Sequence, residues 1–199
     1  WDDNGAGGSF DDNTSLTPVY SPPAGYSGFI TLTLTASGNA NCSPVSDDMQ
    51  LTVTPAPVAN AGSDEETCMD VDIDLSNSST VPTASNYSSL SWGDNGAGGS
   101  FDDNTSLTPV YSPPAGFTGN ITLTLTANGN TNCAGVTDDM TLTVTPEPTV
   151  DAGSSEETCE DLAFDLSTSS TAPSASNYSS LSWDDNGAGG SFDDNTSLT

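Results

Sequence analysis

The sequence predicts an all-β protein made of tandem antiparallel β-sandwich domains. Three observations carry that prediction. The first is a repeat: WDDNGAGGSFDDNTSLT at Trp1 returns as WGDNGAGGSFDDNTSLT at Trp92 and as WDDNGAGGSFDDNTSLT at Trp183, each 91 residues from the next. Residues 1–91 and 92–182 agree at 69 of 91 positions. Such a period is too long for a solenoid unit of about 20–50 residues and suits a string of domains, each with its own core. The second is strict alternation of apolar and polar residues, the pattern of half-buried strands. The third is punctuation by the turn clusters DNGAGG, DDNT, SPPAGFTG and ANGNTN.

One domain in natural register spans 57–146, flanked by partial domains at 1–56 and 147–199. Seven strands are expected in it, over about 58–62, 69–76, 87–92, 99–101, 107–112, 120–127 and 139–145. In the second, Met69, Val71, Ile73 and Leu75 alternate with Asp70, Asp72 and Asp74. In the third, Leu90 and Trp92 flank Ser91, giving the single Trp expected at the centre of a sandwich. In the sixth, Ile121, Leu123 and Leu125 alternate with Thr122, Thr124 and Thr126. In the last, Met140, Leu142 and Val144 alternate with Thr141 and Thr143; Thr is a good strand former on a wet face. TPAPVA and TPEPTV link the domains, and proline limits their bending.

Charge narrows function. There are 28 Asp and Glu and no Lys, Arg or His. Nucleic acid is excluded as a partner, because binding it needs cations that displace counterions. An anionic membrane surface is excluded on the same ground, and no apolar stretch approaches the roughly 18 residues of a membrane helix. Disorder, the other reading of so acidic a chain, conflicts with the patterned apolar residues. Catalysis lacks a His base and any cation to stabilise an oxyanion or phosphate, so the chain is not expected to be an enzyme. Gly96, Gly98 and Gly99 read as a tight turn needing positive φ, not as a phosphate loop.

The motifs ANAG, SLSW followed by DNGAGG, TPVYSPPAG, ITLTLTA and MTLTVTP resemble the PKD-like and Ig-like repeats of bacterial cell-surface proteins. WGDNGAGG departs from the usual loop wording of that family, and so does the lack of basic residues. The resemblance implies spacer domains in a long extracellular adhesin or fibre, whose partners are neighbouring copies of the same repeat. An array that binds surface glycans through Tyr20, Tyr26, Tyr111 and Phe117 is the runner-up, although Tyr111 is expected in the core.

Two kinds of site follow from the sequence. With strands alternating in direction, Asp64, Glu65, Glu66, Asp94 and Asn95 are expected at one end of the domain. Asp102, Asp103, Asn104, Asp138 and Asp139 are expected at the other. Head-to-tail stacking would then bring like charges together, and a hard divalent cation with oxygen ligands would reverse the repulsion. The expected ligands for Ca²⁺ are Asp2, Asp3 and Asn4 facing Asp102, Asp103, Asp138 and Asp139 at one junction. At the next, Asp94 and Asn95 face Asp193 and Asp194.

The cysteines fall into equivalent pairs, Cys42 with Cys133 and Cys68 with Cys159, without metal-type spacing. They argue for disulfides and an oxidising, extracellular setting. Cys68 and Cys133 belong at opposite ends of one domain, separated by a strand of roughly 26 Å, too far for a bond that needs Cα atoms within about 7 Å. A staple to a neighbouring domain or chain is expected instead.

Overall fold

The computed structural model describes residues 1–130 and 132–198 and contains no α-helix among them. Residues 1–56 hold β1 (Ser9–Phe10) paired with β2 (Tyr20–Ser21), and β3 (Gly28–Ala36) paired with β4 (Val45–Val53). The next copy holds β5 (Val58–Asn60), β6 (Glu65–Cys68), β7 (Ile73–Asp74), β8 (Thr83–Ser85), β9 (Ser89–Gly93), β10 (Ser100–Phe101), β11 (Val110–Ser112), β12 (Gly119–Asn128) and β13 (Val136–Thr145). β14 (Thr149–Asp151) and β15 (Ser174–Ser176) follow. Elements recur at the 91-residue period: β12 and β13 are the counterparts of β3 and β4, and β14 and β15 are those of β5 and β8.

Alternation builds the core. Ile121, Leu123, Leu125 and Ala127 point inward from β12, and Met140, Leu142 and Val144 from β13. β12 and β13 run antiparallel at the centre of the sheet β6-β13-β12-β9. Leu90 and Trp92 of β9 extend the same buried face. Tyr111 and Leu75 close the core from the side of a second sheet, β10-β11-β7, and Ile73 packs against it partly buried. Two sheets over one apolar layer are consistent with a β-sandwich.

Two expected strands take a different course. The run 58–62 is shorter than expected: β5 pairs with β8, a strand the alternation did not signal, and the chain then turns at Gly62. Gly62 has φ +92°, and a Cβ there would strike the Thr80 carbonyl, so the turn requires glycine. Beyond it Glu65 and Glu66, expected in a turn, lie in β6, which adds in parallel to β13 with Cys68 opposite Thr145. The run 69–76 also breaks. Asp70 adopts φ +60° and its carboxylate accepts the Gly116 N–H, while Val71 N–H donates back to the Cys68 carbonyl. Only Ile73–Asp74 pairs, with β11, after which Asp74 caps a single 3-10 turn, Leu75–Asn77. Asp70, Asp72 and Asp74 therefore do not form one continuous strand face.

Candidate functional site

With no cation available, the carboxylates bind the protein's own donors. Asp94 shows how. Its Oδ1 accepts the Gly96 N–H at 3.1 Å, and its Oδ2 accepts from Gly98 N at 2.9 Å, Gly99 N at 2.8 Å and the Tyr111 hydroxyl at 3.2 Å. DNGAGG is thus a loop wrapped round one carboxylate. Positive φ at Asn95, Gly96 and Gly98 turns the N–H groups inward, and a Cβ on Gly99 would collide with the Tyr111 hydroxyl. Partial burial opposes ionisation of Asp94. The Gly96, Gly99 and Gly98 N–H groups and the Tyr111 hydroxyl outweigh it and hold the carboxyl below the ordinary Asp range. Burial, then the Asp94 charge, push the Tyr111 phenol up. Asp3 repeats the arrangement with Gly5, Gly8 and Tyr20, and Asp185 with Gly187 and Gly190.

The other expected ligands are engaged likewise. Asp2 Oδ1 accepts the Asn4 N–H. Asp102 Oδ1 accepts from Asp103 N and Val110 N, closing the turn before β11. Asp103 Oδ1 accepts both the N–H and the hydroxyl of Thr105, which hold its carboxyl low. Asp193 and Asp194 do the same one copy later, toward Asp194 N and toward Thr196. Asp138 Oδ2 accepts the N–H of Ala61, a fully buried residue. Asn95 donates its side-chain amide to the Thr122 carbonyl and to Thr124 Oγ1, and that hydroxyl donates on to Asp139 at 2.6 Å. Asn4, Thr33 and Asp48 form the same row.

This geometry corrects the expected division into two acidic ends. β9 stops at Gly93, halfway along β12 and opposite Thr124, which is itself opposite Asp139. Asn95 and Asp139 therefore share one row of the sheet rather than opposite ends. The 102–105 turn folds back, so that Trp92 N donates to the Asn104 carbonyl at 2.7 Å. Trp1 with Asn13 and Trp183 with Asn195 make the same bond. The acidic clusters meet within a repeat, where the sequence argument had them meet between repeats. Among the described residues, no three or more His, Cys, Asp or Glu side chains converge as a metal site would need.

The junction between copies is made of other groups. Asn86, at φ +57°, donates its side-chain amide to the linker carbonyl of Ala56 at 3.2 Å. Asn177, at φ +56°, does the same to Glu147 at 3.2 Å. Cys133, in the β12–β13 turn, places its Sγ 3.3 Å from Thr54 Oγ1. Alternation could not reveal the two asparagines; the signal was the left-handed geometry that Asn tolerates ahead of a strand. Cys42, Cys68, Cys133 and Cys159 carry free thiols, and Cys133 is the one that is partly buried.

The proposed aromatic platform is not assembled. Tyr111 is fully buried and Phe117 packs on the core. Tyr20 and Tyr26 are half-buried, with hydroxyls bonded to Asp3 and to the Phe29 carbonyl. Among the described residues no helix is long and apolar enough to cross a membrane. No known protein family and no curated protein matches the chain.

Proposed function

We propose that the chain is a structural extender: tandem Ig-like or PKD-like β-sandwich repeats serving in an extracellular bacterial fibre or adhesin. One observation carries the reading. Both linkers are clasped identically, by Asn86 on Ala56 and by Asn177 on Glu147. A spacer needs a fixed relation between successive copies, and the clasp anchors each linker at the same place on the repeat that follows it. The acidic surface suits the role, since like charge keeps long chains soluble and apart. The glycan-binding alternative lacks an exposed aromatic platform among the residues that suggested it.

The reading predicts that small-angle scattering of arrays with increasing copy number gives a maximum dimension rising linearly. The increment should be near the ~33 Å of a ten-residue strand plus its linker. Asn86→Ala with Asn177→Ala should make the array more flexible without unfolding it. Dimensions that grow only as the square root of copy number would refute a stiff extender.

Calcium enters this reading as a counterion to 28 carboxylates, with a bound ion in the acidic loops as the sharper version. Calorimetry separates them. Saturable binding that Asp102→Asn with Asp103→Asn abolishes supports the bound ion. A rise in melting temperature that NaCl of matched ionic strength reproduces supports screening alone.

A further inference from the structure

We infer that successive repeats are joined by a disulfide between the cysteine ending β6 in one repeat and the cysteine of the β12–β13 turn in the next. One threonine position, seen in two copies, makes both contacts. Thr54 and Thr145 are the same position, 91 residues apart, each directly after its copy's long last strand or at its end. In the copy that contains β6, Thr145 is the strand partner of Cys68. Its Oγ1 donates to the Thr67 carbonyl at 3.2 Å, and its carbonyl accepts the Met69 N–H at 2.8 Å. The two bonded residues stand on either side of Cys68. At Thr54 the same two atoms face Cys133 of the following repeat: Sγ lies 3.3 Å from Thr54 Oγ1 and 3.8 Å from the Thr54 carbonyl oxygen. The Pro55 carbonyl, also at 3.8 Å, completes the pocket. Both cysteines therefore converge on one threonine, one from its own repeat and one from the next.

Within a single repeat the same two cysteines are kept apart. Cys68 sits at the Thr145 end of β13, whereas Cys133 precedes its Val136 end, a strand length of roughly 30 Å away. The bond thus runs only forward, from one repeat to its successor. Repeated along an array, it turns a string of domains into a covalently stapled rod, so that tension at a junction meets a second connection beside the linker. Formation takes two thiols to one S–S bond. Two protons and two electrons leave, and the electrons reduce the disulfide of a thiol–disulfide oxidant to its dithiol. Oxidised glutathione, which becomes two reduced molecules, fills that role in a test tube.

The staple rests on the tandem-array reading, yet the two fail separately, because an array can lengthen linearly with every thiol free. The present chain gives the first readout. Cys42 and Cys133 occupy equivalent turns, but only Cys133 faces a preceding Thr-Pro. Iodoacetamide should label Cys133 several-fold more slowly than Cys42 in the native chain and at the same rate in denaturant. Equal native rates would overturn the junction contact. The second readout uses the chain extended after Thr199 by one further copy of its own repeat, in register, and refolded in a glutathione redox buffer. Non-reducing peptide mapping should recover Cys68 joined to the added counterpart of Cys133, with the loss of two thiols. Cys68→Ser should restore the free thiol on that counterpart while leaving the circular dichroism spectrum unchanged. Recovery of Cys68 joined to Cys133, or a full complement of thiols in the extended and folded chain, would overturn the proposal.

Discussion

Trp92→Ala is expected to lower the stability of the 57–146 repeat by about 3–5 kcal/mol, the range for removing a large core aromatic. Trp92 is 4% exposed, lies beside Leu125 across the β9–β12 ladder and is 6.2 Å from the Phe101 ring, which in turn is 4.7 Å from Tyr111. Its indole N–H donates to the Leu107 carbonyl at 3.3 Å, so truncation also leaves an acceptor without its donor. For a domain of this size the loss corresponds to a fall in melting temperature on the order of 20 °C. The chain contains its own control. Trp183 donates its indole N–H to the Ser197 carbonyl, one residue short of the counterpart of Leu107, and stacks on Phe192, but it is only half-buried. Trp183→Ala should therefore cost clearly less. Denaturant unfolding followed by near-ultraviolet circular dichroism measures both variants. Equal losses would show that the Trp92 environment is not the core of a sandwich.

Trp92 and Asp94 differ in how far the sequence reveals their surroundings. Trp92, Leu90, Leu123 and Leu142 were legible as core, because a period of two leaves a long central strand one way to bury its face. β12 and β13 extend a few residues beyond their expected limits but keep the expected register of inward residues. The edges were less legible. The 69–76 run alternates perfectly, yet an edge segment forms a strand only where a partner backbone is available, and β11 offers just two residues. Asp70 and Gly62 then divert the chain through left-handed positions that no periodicity announces. The β6–β13 pairing was not legible because residues 65–68 lack apolar alternation and read as a turn, not as a strand. The acidic loops were misplaced because β9 ends at Gly93, opposite the middle of β12, and not at the end of the sheet. Their role was read from net charge and from the expected strand order. Asn95, Thr124 and Asp139 are joined by side-chain hydrogen bonds across the sheet, a relation visible only once the register is known.

Asp94→Asn should destabilise the repeat by about 2–3 kcal/mol, the scale of hydrogen bonds to a charged acceptor lost from a partly buried site. An amide presents one acceptor oxygen and turns an NH₂ group toward donors, whereas the Asp94 carboxylate serves Gly96, Gly98, Gly99 and Tyr111 with both oxygens. Tyr111 is fully buried, so its hydroxyl has no water to turn to. The effect must depend on pH, and its sign is fixed. The folded-state pKa of Asp94 lies below the ordinary value, held there by those donors against the opposing effect of burial. The stability it contributes is therefore fully present above the unfolded pKa, near 3.9, and is lost as pH falls through the folded value. Relief of self-repulsion among the carboxylates acts in the opposite direction as the pH falls, but it acts on both proteins and largely cancels in their difference. Glu65, Asp74 and Asp103 of the same repeat are depressed too, so the variant retains some acid sensitivity. The expected result is a stability gap between wild type and Asp94→Asn that is constant from pH 7 to about 5 and closes below about pH 4. A gap that stays open into strong acid would mean that loop shape, and not the carboxylate charge, holds DNGAGG together. In a chain with no Lys, Arg or His, that closing gap measures directly how an acidic side chain organises a fold through backbone N–H and hydroxyl donors.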